Sequence, residues 1–167
     1  PQIIWVATAE GHAEYFNSRW REYTGLDESV GRGDGWKAVV HPDDLPVFVE
    51  RRSETLVSGA LFECEVRLRR WDGRHRWFLA RALPVRTPDG NVAAWFGTCT
   101  DVDEQKRAEG LLRFLVRAGR ALGESLDPEV LARNAAALIV PEHADYAQIF
   151  TADGDVLRPI AIAHREP

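Results

Sequence analysis

From Phe62 to Arg69 the chain alternates apolar and charged side chains without a break: Phe62-Glu63-Cys64-Glu65-Val66-Arg67-Leu68-Arg69. That period of two belongs to a strand with one face in a core and the other in water. Asp72-Gly73 follows, a strong signal for a two-residue hairpin loop. It predicts that Trp71 opposes Arg74, Leu68 opposes Trp77, Val66 opposes Leu79, Cys64 opposes Arg81 and Phe62 opposes Leu83. A second turn at Thr87-Pro88-Asp89-Gly90 leads into a strand over Val92–Thr100. With Arg86 opposite Asn91, Arg81 falls across from Phe96 and Arg76 across from Asp101. The chain must therefore be built around a three-stranded antiparallel meander.

Ahead of the meander, Ile3-Ile4-Trp5-Val6 is a β-prone run that Glu10-Gly11 turns back into His12–Phe16. Asn17 reads as a helix cap before Ser18–Tyr23, with Gly25 as the stop. His41-Pro42-Asp43-Asp44 opens a helix running to about Ser58, its acids complementing the helix dipole. Short strands and helices before a meander make an α+β domain of about one hundred residues.

After Asp103 the period changes. Ala108, Leu111, Leu115, Ala118 and Leu122 recur at heptad-like steps, widened by Leu112 and Val116. A coiled-coil seam and a helix docked on its own domain both satisfy that stripe. Asp127-Pro128-Glu129 opens another helix that ends before Pro141. Tyr146–Phe150, a turn at Asp153-Gly154, and Val156–Ala163 read as one more hairpin. All six Trp lie before residue 100, at the same break. The chain starts at Pro1 and has no Met, so a piece of a longer protein is expected.

Several functions are excluded or disfavoured. The net charge of −5 gives no global attraction for nucleic acid or anionic lipid. The arginines among Trp71, Trp77 and Phe78 share their strands with Glu63 and Glu65, a local rather than domain-wide basic footprint. Gly31-Arg32-Gly33-Asp34-Gly35 lacks the Lys-Ser/Thr of a phosphate loop and reads as a plain loop. Five scattered His and the two cysteines, Cys64 and Cys99, have no metal-ligand spacing, and no nucleophile with its base stands out. No run is long and apolar enough to span a membrane. The expectation is a cytoplasmic, non-enzymatic piece without a metal.

Arg81 is the most informative single residue. The predicted register places it on the apolar face with Phe62, Val66, Leu68, Trp77 and Leu79. A charge there needs an acid, carbonyls, water or a ligand anion. A structural salt bridge and a ligand anchor both satisfy it. The candidate pocket is Arg81, Cys64, Trp77, Phe96 and Leu79. The other face carries Phe78, Ala80, Ala82, Ala93 and Trp95, apolar enough to require cover from a helix or a second copy.

Over residues 1–107 the chain resembles a PAS domain with its C-terminal PAC segment, as found in bacterial sensor proteins. The resemblance rests on Tyr15-Phe16-Asn17-Ser18-Arg19-Trp20, Tyr23-Thr24-Gly25-Leu26, Trp36 and His41-Pro42-Asp43-Asp44. It continues through Arg76-Trp77-Phe78-Leu79, Pro88-Asp89-Gly90, Trp95-Phe96-Gly97-Thr98 and Thr100-Asp101-Val102-Asp103-Glu104-Gln105-Lys106-Arg107. It implies a five-stranded antiparallel sheet with short helices around a possible ligand cavity. It also implies a junction at Asp101-Val102-Asp103 that joins the last strand to an output helix, with Arg76 tying it to the sheet. From about Asp127 the chain is similar to the beginning of a GAF domain. The expected organisation is a PAS/PAC domain over 1–103, a linker helix over 104–126 and an incomplete GAF-like segment over 127–167.

The function implied is a sensory input module of a bacterial signalling protein, a sensor histidine kinase first among the candidates. A serine/threonine phosphatase and a cyclic-dinucleotide enzyme are the other output classes. The alternative is a ligand-free homodimerisation scaffold using Phe78, Trp95, Leu111, Leu115 and Leu122. A haem or flavin redox sensor is a third reading, although the Asn-Cys-Arg-Phe-Leu flavin-adduct motif is absent and the helix from Asp43 to Ser58 holds no His. The cofactor is left undetermined among non-covalent flavin, a small acid held by Arg81, and none.

Overall fold

A computed structural model describes residues 2–123, 127–140, 144–153 and 156–165. The chain divides into two compact units, Pro1–Lys106 and Arg107–Pro167. The first contains strands β1 (Ile3–Thr8), β2 (Ala13–Phe16), β3 (Phe62–Arg69), β4 (His75–Arg86) and β5 (Val92–Asp101) in one antiparallel sheet ordered β2-β1-β5-β4-β3. Helices α1 (Ser18–Thr24), α2 (Glu28–Gly31) and α3 (Leu45–Ser58), with a 3-10 turn over Gly35–Val39, fall between β2 and β3.

The helices close over one face of the sheet. Ile3, Ala7, Phe62, Val66, Leu68, Phe78, Ala80, Ala82 and Trp95 form a core with Phe16, Trp20, Tyr23 and Phe48 of the crossover. The Tyr23 hydroxyl donates to the Leu68 carbonyl at 3.0 Å, and its ring stands edge-on to Phe78. Two residues expected to serve helix starts, Asn17 as a cap and Asp44 as a dipole-complementing acid, act elsewhere. Asn17 makes no capping bond; its Oδ1 accepts from the Ile4 amide at 3.1 Å and its Nδ2 donates to the Gln2 carbonyl. Asp44 likewise leaves the end of α3 and accepts from the Arg67 backbone amide at 2.8 Å, Nε at 2.9 Å and Nη2 at 2.6 Å. Both side chains tie a helix to the sheet. The Gly31–Gly35 stretch ends α2 and bridges to Ala13 through the Gly33 amide.

The first hairpin corrects the predicted register by one residue. Its loop has three residues, Trp71-Asp72-Gly73: Arg70 donates to the Arg74 carbonyl at 2.7 Å and Gly73 to the Arg70 carbonyl at 3.0 Å. The Trp71 amide is drawn out of the ladder because it donates to the Tyr23 carbonyl at 2.9 Å. Gly73 sits at φ +84°, the left-handed position that such a loop requires. Val66 therefore pairs with Phe78, Cys64 with Ala80 and Phe62 with Ala82. A slip of one residue exchanges the faces. Phe78, Ala80, Ala82 and Trp95 form the core that helices cover, while Trp77, Leu79, Arg81 and Phe96 lie on the outer face.

The second hairpin differs from expectation by two residues. Ala93 is left unpaired at a bulge between the Val85–Ala94 and Arg86–Val92 pairs. Arg81 consequently faces Thr98, and Phe78 faces Asp101. A shift of two leaves every side chain on its own side of the sheet.

The second unit holds most of α4 (Asp103–Gly123), with α5 (Pro128–Ile139) and the two-stranded sheet β6 (Tyr146–Asp153) and β7 (Val156–His164). Asp127 caps α5 by accepting from the Glu129 amide at 2.8 Å. Ala132 and Ala136 of α5 pack on Ala161 of β7 in a small core. The predicted Asp153-Gly154 turn lies partly outside the described residues, as does the side chain of Leu122. Among the described residues no helix is long and apolar enough to cross a membrane.

Candidate ligand cavity and signalling junction

Between the inner face of the sheet and the helices lies a cavity of about 80 Å3. Its wall is mainly apolar and aromatic, with Trp5, Phe16, Trp20, Trp36, Phe48 and Trp95 among its side chains. Of the five residues expected to line a pocket, none does. Trp77, Leu79, Arg81 and Phe96 lie on the other face, and Cys64 is buried in the core beside the cavity. Arg81 instead pairs with Glu63 at 2.7 Å near the surface, which is the structural salt bridge.

The charge at the cavity is Arg52, on α3. It is half-buried, donates from Nη2 to the Gly11 carbonyl and lies over the Trp36 ring with its guanidinium carbon 5.4 Å from the centroid. Gly11, at φ +91°, makes that approach possible: a Cβ there would stand 2.8 Å from Arg52 Nη2. Burial holds Arg52 below the usual guanidinium range, with the charge of Asp34 opposing. The sequence carries the signal: Leu45, Phe48, Arg52 and Thr55 follow the steps of one helix face, so an arginine interrupts the apolar stripe of α3.

Cys64, Ala80 and Cys99 form a row across β3, β4 and β5. Burial pushes the Cys64 thiol up and takes that of Cys99, in the cavity wall, to about 12. Neither is poised as a thiolate. Among the described residues no cluster of His, Cys, Asp or Glu could hold a metal ion.

At the far end of β5 the sheet passes into α4. The Val102 amide donates to the Trp77 carbonyl at 2.9 Å, so the ladder persists to one residue before the helix. Asp103, 4% exposed, accepts from the Trp77 amide at 3.2 Å and from Arg76 Nε at 3.3 Å. Arg76 also reaches Asp101 at 3.1 Å, and Asp101 accepts from the Asp103 amide at 3.1 Å. Arg76 thus meets Asp101 diagonally, across the Phe78–Asp101 pair, although the two are not directly opposite. Lys106, in the first turns of α4, pairs with Glu65 at 2.6 Å and lies over Trp77 on the outer face. Burial, with the charge of Asp101 adding to it, pushes the Tyr23 phenol upward.

Phe78 and Trp95 are each 2% exposed, so neither is available to a second copy. Leu111 and Leu115 are exposed on α4, together with Leu112 and Val116. The arginines that suggested nucleic acid are largely occupied: Arg67 by Asp44, Arg70 by Asp72, Arg76 by Asp101 and Arg81 by Glu63.

A five-stranded antiparallel sheet with its helices on one face, a cavity beneath them and a strand-to-helix exit define a class of sensory domain. A family model described as the PAS fold matches residues 13–99, just over half of the chain, and the chain belongs to that family. It is 49% identical over 70 residues to the peroxide stress-activated histidine kinase mak1 of Schizosaccharomyces pombe, across 42% of this chain and 4% of that protein. It is 30% identical over 146 residues to the two-component sensor PprA of Pseudomonas aeruginosa, across 84% of this chain and 15% of that protein. Among solved structures, the N-terminal domain of a diguanylate cyclase with PAS/PAC sensor from Marinobacter aquaeolei shares the fold with a TM-score of 0.58 at 21% identity, covering 64% of this chain and 99% of that one. The chain spans between 4 and 15% of the length of the curated relatives it matches. The domain is a PAS sensory domain homologous to segments of histidine kinases.

Proposed function

We propose that this chain is the sensory input segment of a histidine kinase, in which occupancy of the inner cavity is passed along β5 to α4. The observation that carries the reading is the junction. Cys99 in the cavity wall and Asp101 at the junction lie two residues apart on the same side of one strand, and Asp103 is buried where the ladder becomes a helix. A displacement of β5 changes the Arg76–Asp101–Asp103 bonds before it changes anything else in α4. A coupling of about 1–3 kcal/mol suffices for such a switch. In this reading α4 acts as the linker helix, the expected 124–126 lying outside the described residues, and the chain from Asp127 is the opening of a GAF-like domain. Burial pushes both thiols up and neither is poised as a thiolate, so a peroxide response like that in the name of mak1 has no support through cysteine oxidation here.

The test uses the full-length protein. Asp101→Ala and Arg76→Gln are expected to abolish or invert the change in autophosphorylation on stimulation while the domain stays folded. Unchanged regulation in both variants contradicts the reading. A second reading, homodimerisation, is supported by the exposed Leu111, Leu112, Leu115 and Val116 stripe of α4. Sedimentation across a concentration series tests it, and a strict monomer removes it.

A further inference from the structure

The cavity wall holds one cation and no acid. Arg52 and the Gly11 that it grips both line the space, and Thr55, one turn further along α3, adds a hydroxyl. Among the described residues no carboxylate lies within ion-pair distance of Arg52. Asp34, whose charge acts on it from further off, is itself held by Lys37 at 2.8 Å. Arg69 and Arg86 also bond carbonyls rather than acids, but Arg52 is the cation that lines the cavity. The half-buried guanidinium meets one carbonyl and one aromatic face, and Arg presents a fork of further donors suited to a carboxylate.

A second observation points the same way. Trp20, 2% exposed and part of the cavity wall, has a buried indole N–H with no hydrogen-bond partner. A buried donor left unmatched costs about 1–3 kcal/mol, and an acceptor atom in the cavity removes that cost. Apart from these donors the wall is aromatic and aliphatic. The room is small: about 80 Å3, against the roughly 150 Å3 of an apolar cavity that takes benzene.

We propose that the cavity binds a small monocarboxylate, its carboxylate on Arg52 and its short apolar body against the aromatic wall. This rests on the sensory reading and specifies what is sensed. Chemically it transfers to Arg52 the anion-holding role that the sequence suggested for Arg81. A neutral molecule of the same shape leaves the guanidinium unmatched, and a dianion brings a second charge that the wall does not meet.

The probes are acetate and its uncharged counterpart acetamide, small enough for that room, titrated into the 167-residue chain while the six indole N–H resonances are followed by NMR. Acetate is expected to shift the Trp20 indole signal saturably and to bind at least about tenfold more tightly than acetamide, since bonds to a charged partner are the stronger ones. Arg52→Gln is expected to level the two affinities, Arg52→Lys to keep part of the preference, and Arg81→Gln to leave it intact. Equal affinity for the two probes in the unaltered chain overturns the proposal without any variant needing to fold. Saturation by neither probe, or a preference surviving in Arg52→Gln, overturns it as well. The sensory reading stands or falls separately. Loss of stimulus response in Asp101→Ala keeps that reading even where acetamide binds as well as acetate.

Discussion

The two faces of the five-stranded sheet are built from similar side chains and meet opposite fates. On the inner face Val66 is 0% and Phe78 2% exposed, packed under α1 and α3. On the outer face Phe96 is 45% and Leu83 58% exposed, among surface ion pairs such as Arg81–Glu63. Composition does not separate the faces, since each carries large apolar residues. A single amide does: the Trp71 N–H bonded to Tyr23 makes the turn three residues long and decides which half of β4 joins β3 in the core. The proposed function follows the same division. The inner face borders the cavity that Arg52 of α3 also lines, and the outer face receives Lys106 at the start of α4.

Because all six Trp precede residue 100, tryptophan fluorescence reports on this unit, and urea unfolding followed in that way tests the comparison. The largest effect is expected from Phe78→Ala, a loss of about 3–5 kcal/mol, against less than about 1 kcal/mol for Phe96→Ala on the other face. Equal losses break the comparison. Asp44→Asn is expected to cost about 1–3 kcal/mol, because three bonds from Arg67 to a carboxylate are weakened. The Arg67 guanidinium holds the Asp44 carboxyl below its ordinary range. Its contribution is therefore fully present above the unfolded carboxylate value near pH ~4 and is lost as pH falls through the lower folded value. Wild type should lose stability in that acid window more steeply than Asp44→Asn, and parallel curves contradict this.

Gly73→Ala is expected to cost about 1 kcal/mol. A Cβ at Gly73 meets nothing within 4 Å, so the loss isolates the positive φ of the three-residue loop. No loss there means that the loop does not set the register. The smallest effect belongs to Arg81→Gln, below about 1 kcal/mol and reduced further by salt, as for an exposed ion pair. A larger loss would mean that Arg81 carries weight in the core.

The fold was largely legible in the sequence. The alternation of Phe62–Arg69, the Thr87–Gly90 turn and the change of period at Asp103 place the meander and the exit helix correctly. The faces were not, because a two-residue Asp72-Gly73 loop and a three-residue Trp71-Asp72-Gly73 loop share the same local signal. What selects between them is the tertiary bond from Trp71 to Tyr23. The error at the second turn was two residues and therefore harmless, so the Arg76–Asp101 contact was found despite a wrong partner assignment. Asn17 reads as a cap and Asp44 as an acid complementing the dipole, because helix starts favour such residues, yet each serves the sheet. Arg52 was visible as a break in the apolar stripe of α3, but Arg81, misplaced by the register, drew the attention instead.

The proposed link between the cavity and the helix is tested most directly by amide hydrogen exchange in the 167-residue chain with and without acetate. Binding is expected to alter the protection of the Trp77, Val102 and Asp103 amides along with that of the cavity wall, by a factor of about 5 or more, the lower end of an allosteric coupling. Changes confined to the cavity wall, with those three amides unmoved at saturation, contradict the proposed path from cavity to junction.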